Sequence, residues 1–202
     1  MIKIALTKGR LEDNTVERFA AAGYDVQAVR EKGRKLILPV GADIQVVLAK
    51  APDVLTYVER GVCDAGVVGK DTIMEYGGSY YEVADLGFGK CRFALAVPEG
   101  MDFYAGYRTK RVASKYPKVA ANFFARKGLD VEIIKIEGSV ELAPLLGLVD
   151  GIVDIVETGT TLKENGLVVC EYIADLSARF IVNTASMKLK KNALETIAQA
   201  LL

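Results

Sequence analysis

The sequence contains no histidine. That absence alone excludes Ser–His–Asp and Cys–His catalysis and every histidine-ligated metal site. A net charge is missing too: 26 Lys and Arg balance 26 Asp and Glu, so no bulk field favours nucleic acid or a membrane surface. Cysteine is scarce. Cys63, Cys91 and Cys170 are widely spaced in apolar surroundings. They read as reduced, buried thiols of a cytosolic protein, not as a disulfide frame or a zinc site. No apolar run approaches the length of a membrane-spanning helix. The opening Met1-Ile-Lys-Ile-Ala-Leu6 is too short for a signal peptide and reads as a first strand. Any catalysis must therefore work by positioning, by charge neutralisation, or through carboxylates and lysines.

What is present is 202 residues, 51% of them apolar, enough for one large domain or two lobes with sizeable cores. Residues 2–6 predict a strand, and 11–22 an amphipathic helix stopped by Gly23. Residues 24–30 read as a short strand, 36–39 and 44–49 as two more, and Asp53 as the cap of a helix reaching Arg60. Residues 187–202 read as one amphipathic helix packed back on the first lobe. A pattern recurs: Gly61-x-x-Asp64, strand, turn, helix, Ala84-Asp-Leu86, Arg92-Phe; then Gly147-x-x-Asp150, strand, turn, helix, Ala174-Asp-Leu176, Arg179-Phe. It is a two-copy echo, not a solenoid repeat. The expected fold is α/β with mainly parallel sheets in two lobes. The first lobe is discontinuous, 1–88 with 177–202, and the second spans 89–176.

In such sheets ligands bind at the carboxyl ends of strands. Gly151-Ile-Val-Asp-Ile-Val-Glu-Thr-Gly-Thr-Thr-Leu162 reads as a buried strand, a tight turn and a helix start. Unpaired N–H groups at the helix start favour an anion. Thr158, Thr160 and Thr161 add hydroxyl donors, and Gly159 admits a ligand oxygen close to the backbone. Asp154 and Glu157 would repel a bare phosphate, so they suggest sugar hydroxyls or magnesium nearby. Together these describe a phosphorylated ribose; the plainer reading is a capped helix with ordinary threonines. Thr7-Lys8-Gly9-Arg10 also lies at a strand-to-helix junction, where the dipole disfavours cations unless an anion is bound. Its plainer reading is two solvated surface cations. Tyr80 and Tyr81 suit an interface or a core.

The chain resembles the short form of the ATP phosphoribosyltransferase catalytic subunit, first enzyme of histidine biosynthesis. The resemblance rests on Lys8-Gly-Arg-Leu11, Arg34-Lys-Leu-Ile-Leu-Pro39, the stretch from Tyr57 to Asp71, Ala113-Ser-Lys-Tyr-Pro117, Glu137-Gly-Ser-Val-Glu-Leu-Ala-Pro144, and Asp154 to Leu162, in that order. It implies two lobes like those of type II periplasmic binding proteins, with a cleft between them. It implies magnesium and transfer of phosphoribose from 5-phosphoribosyl 1-pyrophosphate to N1 of ATP with inversion. Thr158, Gly159, Thr160 and Thr161 would hold the 5′-phosphate, in the second lobe, and Asp154 with Glu157 the ribose hydroxyls. Arg10, Arg34 and Lys8 would neutralise the pyrophosphate from the first lobe. Lys50 and Lys70 would be weaker contacts to ATP, Lys50 standing where the family more often has arginine. The metal ligands stay unassigned. The implied partners are a regulatory subunit resembling histidyl-tRNA synthetase and a second copy of the chain, in a cytoplasmic hetero-oligomer. The rivals are a non-enzymatic solute binder on the same scaffold, or another enzyme such as a prephenate dehydratase.

Overall fold

A computed structural model describes residues 1–202. The chain opens with β1 (Ile2–Thr7), α1 (Arg10–Ala21), α2 (Gln27–Arg30), β2 (Ile37–Val40) and β3 (Ile44–Ala49). Then come α3 (Ala51–Glu59), β4 (Ala65–Gly69), α4 (Lys70–Tyr76), β5 (Tyr81–Asp85), β6 (Cys91–Pro98) and β7 (Lys110–Ser114). Next are α5 (Pro117–Arg126), β8 (Val131–Lys135), α6 (Leu142–Leu145), β9 (Gly151–Val156), α7 (Thr160–Glu164) and β10 (Leu167–Leu176). β11 (Ala178–Val182), α8 (Thr184–Leu189) and α9 (Lys191–Ala200) complete it.

Two compact units result: Met1–Lys90 with Ser177–Leu202, and Cys91–Leu176. The first holds a six-stranded sheet in the order β2-β3-β1-β4-β11-β5, the second a five-stranded sheet in the order β10-β6-β9-β7-β8. Both are mixed. Parallel pairing joins β3-β1-β4 in one and β8-β7-β9 in the other, and antiparallel strands extend each. The strand beside β4 is β11, and the strand beside β9 is β6. Each of these follows directly on a passage of the chain from the other unit. The two severed ends of the first unit meet, since Ala178 N–H donates to Phe88 O at 2.9 Å and Leu86 N–H to Ala178 O at 2.9 Å.

Strand periodicity sets the packing, because alternate side chains point to opposite faces. Ile4, Leu6, Val67 and Phe180 pack with Val16 and Phe19 of α1 and with Leu194 and Ile197 of α9. Ala5, Val68 and Ile181 face Val54, Leu55 and Val58 of α3 on the other side. In the second unit Leu95, Val112 and Val153 pack with Phe103 and Phe124, and Ala96, Ala113 and Ile152 with Val140 and Leu162. The repeated Gly-x-x-Asp motif has one structural job in both units. Asp64 accepts from Lys3 N–H at 2.9 Å while its own N–H donates to Lys3 O at 2.8 Å. Asp150 does the same with Arg111, at 2.8 Å in both directions. Each aspartate pins the amino end of one parallel strand to its neighbour, and each is paired with a cation: Asp64 with Lys190, Asp150 with Arg108.

Four expectations need correction. Residues 24–30 are not a strand but end in α2: Asp25 Oδ1 accepts from Gln27 N–H at 3.0 Å, and Val26 and Val29 are both buried at helical spacing. Asp53 lies inside α3, whose cap is Lys50, with Pro52 in the first turn. The C-terminal tail is two helices, broken at Lys190, with α8 capped by Asn183 Oδ1 accepting from Ala185 and Ser186 N–H at 2.9 and 3.0 Å. Of the three free cysteines only Cys63 is buried, its thiol pushed up to about 11 by that burial; Cys170 is exposed on a bulge of β10.

Candidate active site

Three parallel strands of the first unit end side by side. Thr7 pairs with Ala49, and Thr7 Oγ1 donates to Val67 O at 3.0 Å, so Lys8, Lys50 and Lys70 follow adjacent strand ends. Lys8 N–H donates to Ala49 O at 3.0 Å, which fixes it beside Lys50. Gly9 then takes φ 94°, a left-handed value that a side chain would resist, and α1 opens at Arg10. A recess of about 410 Å³ lies against this junction, lined by Lys8, Gly9, Glu12, Arg34 and other residues of the turn Lys32–Lys35. Lys8 and Arg34, far apart in sequence, are thus brought together. Arg10 and Lys50 are not among the lining residues.

Lys70 is differently placed. Its Nζ lies 2.6 Å from Glu82 Oε2, and Glu82 also meets Arg179 at 3.2 Å. Arg179 pairs in turn with Asp85 at 3.0 Å, whose carboxyl is held below its ordinary range chiefly by the Ser177 hydroxyl, donated at 2.7 Å. Lys70 therefore belongs to an ion-pair network of the first unit, with its remaining donors open to a ligand.

In the second unit the corresponding edge carries hydroxyls and carboxylates. Ser114, at the end of β7, donates through Oγ to Val153 O at 2.6 Å and accepts from Tyr116 N–H at 2.8 Å, tying that edge to β9. β9 runs on to Val156, and the turn begins at Glu157. Gly159 has φ 78°, again left-handed, so the chain reverses there and α7 starts at Thr160. Thr158 and Thr160 hydroxyls lie 3.0 Å apart, converging on one side of the turn, and Thr161 follows on α7. Asp154, half-buried on β9, has its carboxyl pushed up to about 6, mainly by burial and further by Glu141, against lowering by Ile155 N–H and Lys115. Asp154, Glu157, Thr158, Gly159, Thr160 and Thr161 are therefore all set at one strand end. No group of three or more Cys, Asp or Glu residues is placed to hold a metal ion.

The family model described as HisG: ATP phosphoribosyltransferase matches residues 50–202. An ATP phosphoribosyltransferase of Clostridium kluyveri is 61% identical over 197 residues, 97% of this chain and 90% of that protein. One of Clostridium novyi is 57% identical over 98% of this chain and 95% of its own length. The chain belongs to the ATP phosphoribosyltransferase family. It is therefore a transferase of the pentosyl-transferring kind. A solved ATP phosphoribosyltransferase, from the HisG:HisZ complex of Thermotoga maritima, superposes with TM-score 0.85 at 34% identity, over all of this chain and 96% of that one. The periplasmic aliphatic sulphonate binding protein SsuA of Escherichia coli shares the fold alone, with TM-score 0.63 and 12% identity, over 99% of this chain and 70% of that one. The ATP phosphoribosyltransferase fold is thus that of periplasmic binding proteins, as expected. No helix is long and apolar enough to cross a membrane.

Sequence reasoning overlooked two residues lining the cationic recess of this transferase, Glu12 and Lys32, which form an ion pair there. The sequence signal for Lys32 is the charged turn Glu31-Lys-Gly-Arg-Lys35.

Proposed function

We propose that the protein catalyses the first step of histidine biosynthesis: transfer of the phosphoribosyl group of 5-phosphoribosyl 1-pyrophosphate to N1 of ATP. The lone pair of adenine N1 forms the new bond to C1 of the ribose on the face opposite the leaving group. The C1–oxygen bond breaks, its electron pair departs with pyrophosphate, and configuration inverts. N1 needs no deprotonation before it attacks, so a chain without histidine suffices. What the transition state demands is charge neutralisation on the departing diphosphate.

The observation that carries this reading is the turn after β9, where converging Thr158 and Thr160 hydroxyls and a left-handed Gly159 follow directly on a carboxylate-bearing strand end. There Thr158, Thr160 and Thr161 take the 5′-phosphate, while Asp154 and Glu157 accept from ribose hydroxyls. Lys8, Arg10 and Arg34 neutralise the pyrophosphate; planar guanidinium groups suit bidentate phosphate contact. Lys50 and Lys70 reach ATP more weakly. Magnesium, when bound with the donor, would supply further charge neutralisation on the diphosphate, and Asp154 and Glu157 are the carboxylates of this chain nearest to the proposed sugar site. In keeping with the HisG:HisZ assembly of the Thermotoga maritima relative, the working form pairs copies of this chain with a separate regulatory subunit, in the cytosol where its three cysteines stay free.

The test is incubation of the purified assembly with ATP, phosphoribosyl pyrophosphate and Mg²⁺. A new ultraviolet-absorbing adduct, formed one for one with pyrophosphate, is expected. Its absence with the regulatory subunit present overturns the proposal.

A further inference from the structure

The recess beside β1 holds four cations, Lys8, Lys32, Arg34 and Lys35, and one carboxylate, Glu12. Glu12 sits in the first turn of α1 with its side chain only 3% exposed, and its Oε1 accepts from Lys32 Nζ. A carboxylate buried to this degree requires a charged or hydrogen-bonding partner, and Lys32 provides it. The turn that carries Lys32 is closed by Lys35 N–H donating to Lys32 O at 2.9 Å, with Gly33 at φ 54° inside it. Its three cationic side chains are therefore held around one recess, where they repel one another. A single embedded carboxylate offsets that repulsion while the recess is empty. It also holds the flexible Lys32 stem inward. An ammonium has three donors, and Glu12 uses one of them. Two remain for ligand oxygens.

We propose that Lys32 is a further phosphate-binding residue of this enzyme and that Glu12 is its positioning residue, the ligand being a diphosphate group. This rests on the transferase reading of the same recess. Two sources share the chemistry: the diphosphate that leaves the sugar donor, and the terminal phosphates of ATP. Glu12 touches neither; it presents Lys32 beside Lys8 and Arg34.

Calorimetric titrations of the full-length chain with inorganic pyrophosphate and, separately, with ATP test this. Lys32→Ala and the stem-preserving Lys32→Met should weaken one of the two probes about tenfold or more, as loss of a charged contact requires; the affected probe identifies the source. Lys32→Arg should retain most of the affinity. Glu12→Gln should weaken the same probe several-fold. In the double variant Glu12→Gln, Lys32→Ala the loss should be no greater than with Lys32→Ala alone, because Glu12 acts only through Lys32. Unchanged affinity for both probes in folded Lys32→Ala overturns the proposal. Additive losses in the double variant overturn the positioning role of Glu12 and leave it an ordinary structural acid. A wild-type chain that binds pyrophosphate but makes no adduct with its regulatory subunit contradicts the proposed reaction instead, and leaves the recess assignment standing.

Discussion

The two units share a strand plan, the first adding β2 at one edge, and their side chains differ most at the carboxyl ends of the parallel strands. In each, a Gly-x-x-Asp aspartate pins adjacent parallel strands at their amino ends, through bonds of 2.8–2.9 Å that match residue for residue. At the carboxyl ends the resemblance stops. The first unit gathers Lys8, Arg34 and Lys32 around a recess, with Lys50 and Lys70 on neighbouring strand ends. The second offers Thr158, Thr160 and Thr161 with a half-buried Asp154. The amino ends hold the aspartate pins, and the carboxyl ends hold the side chains proposed to meet substrate.

The sharpest way to break that division is Arg10→Ala. In the proposed reaction the charge that Arg10 meets grows as the bond to pyrophosphate breaks, so turnover should fall about 100-fold while ATP binding changes little. Steady-state kinetics with separate ATP titrations decide it; unaltered kcat with a raised KM would contradict the assignment. The opposite ends should respond through stability instead. Asp64→Ala removes the acceptor shared by Lys3 N–H, Ser186 and Lys190, and should cost about 2–4 kcal/mol in urea unfolding. Asp150→Ala, whose partner Arg108 is largely exposed, should cost less. If either variant altered kcat in its folded fraction, the separation of roles would fail.

Thr160→Val sharpens the contrast within the second unit. It should weaken phosphoribosyl pyrophosphate by about 1–3 kcal/mol, with melting temperature nearly unchanged; unaltered affinity would mean the phosphate sits elsewhere. The smallest effect expected is a pH limb. Burial raises the Asp154 carboxyl from 3.8 to about 6. Its contribution to stability is therefore fully present below 3.8 and fades as pH rises through about 6. Donor binding should run the other way, since only the ionised carboxylate accepts from both ribose hydroxyls. The KM for the donor should climb as pH drops through about 6, and Asp154→Asn should flatten that limb. A limb that persists in the variant belongs to another group.

Much of the architecture was legible because local and tertiary demands agree. The apolar runs of β1, β3 and β9 and the glycine after α1 announce themselves without help from distant contacts. The misreadings fall where local signals point two ways or where a distant partner decides. Tyr24 to Arg30 alternates like a strand, yet Asp25 turns the backbone and buries Val26 with Val29. The tail reads as one helix because nothing local marks Lys190, whose ammonium is drawn to Asp64, 126 residues away. Candidate site residues were readable where turn chemistry is contiguous, as in Glu157 to Thr161. The Glu12–Lys32 pair was not, because only folding brings α1 against the charged turn.

Cys91–Leu176 is one uninterrupted run, while the flanking stretches are already stitched together by Phe88, Leu86 and Ala178 backbone bonds. The second unit is in effect an insert spliced into a loop of the first. Excising it and bridging Lys90 to Ser177 with a few residues should leave a self-closing remnant of the host sheet.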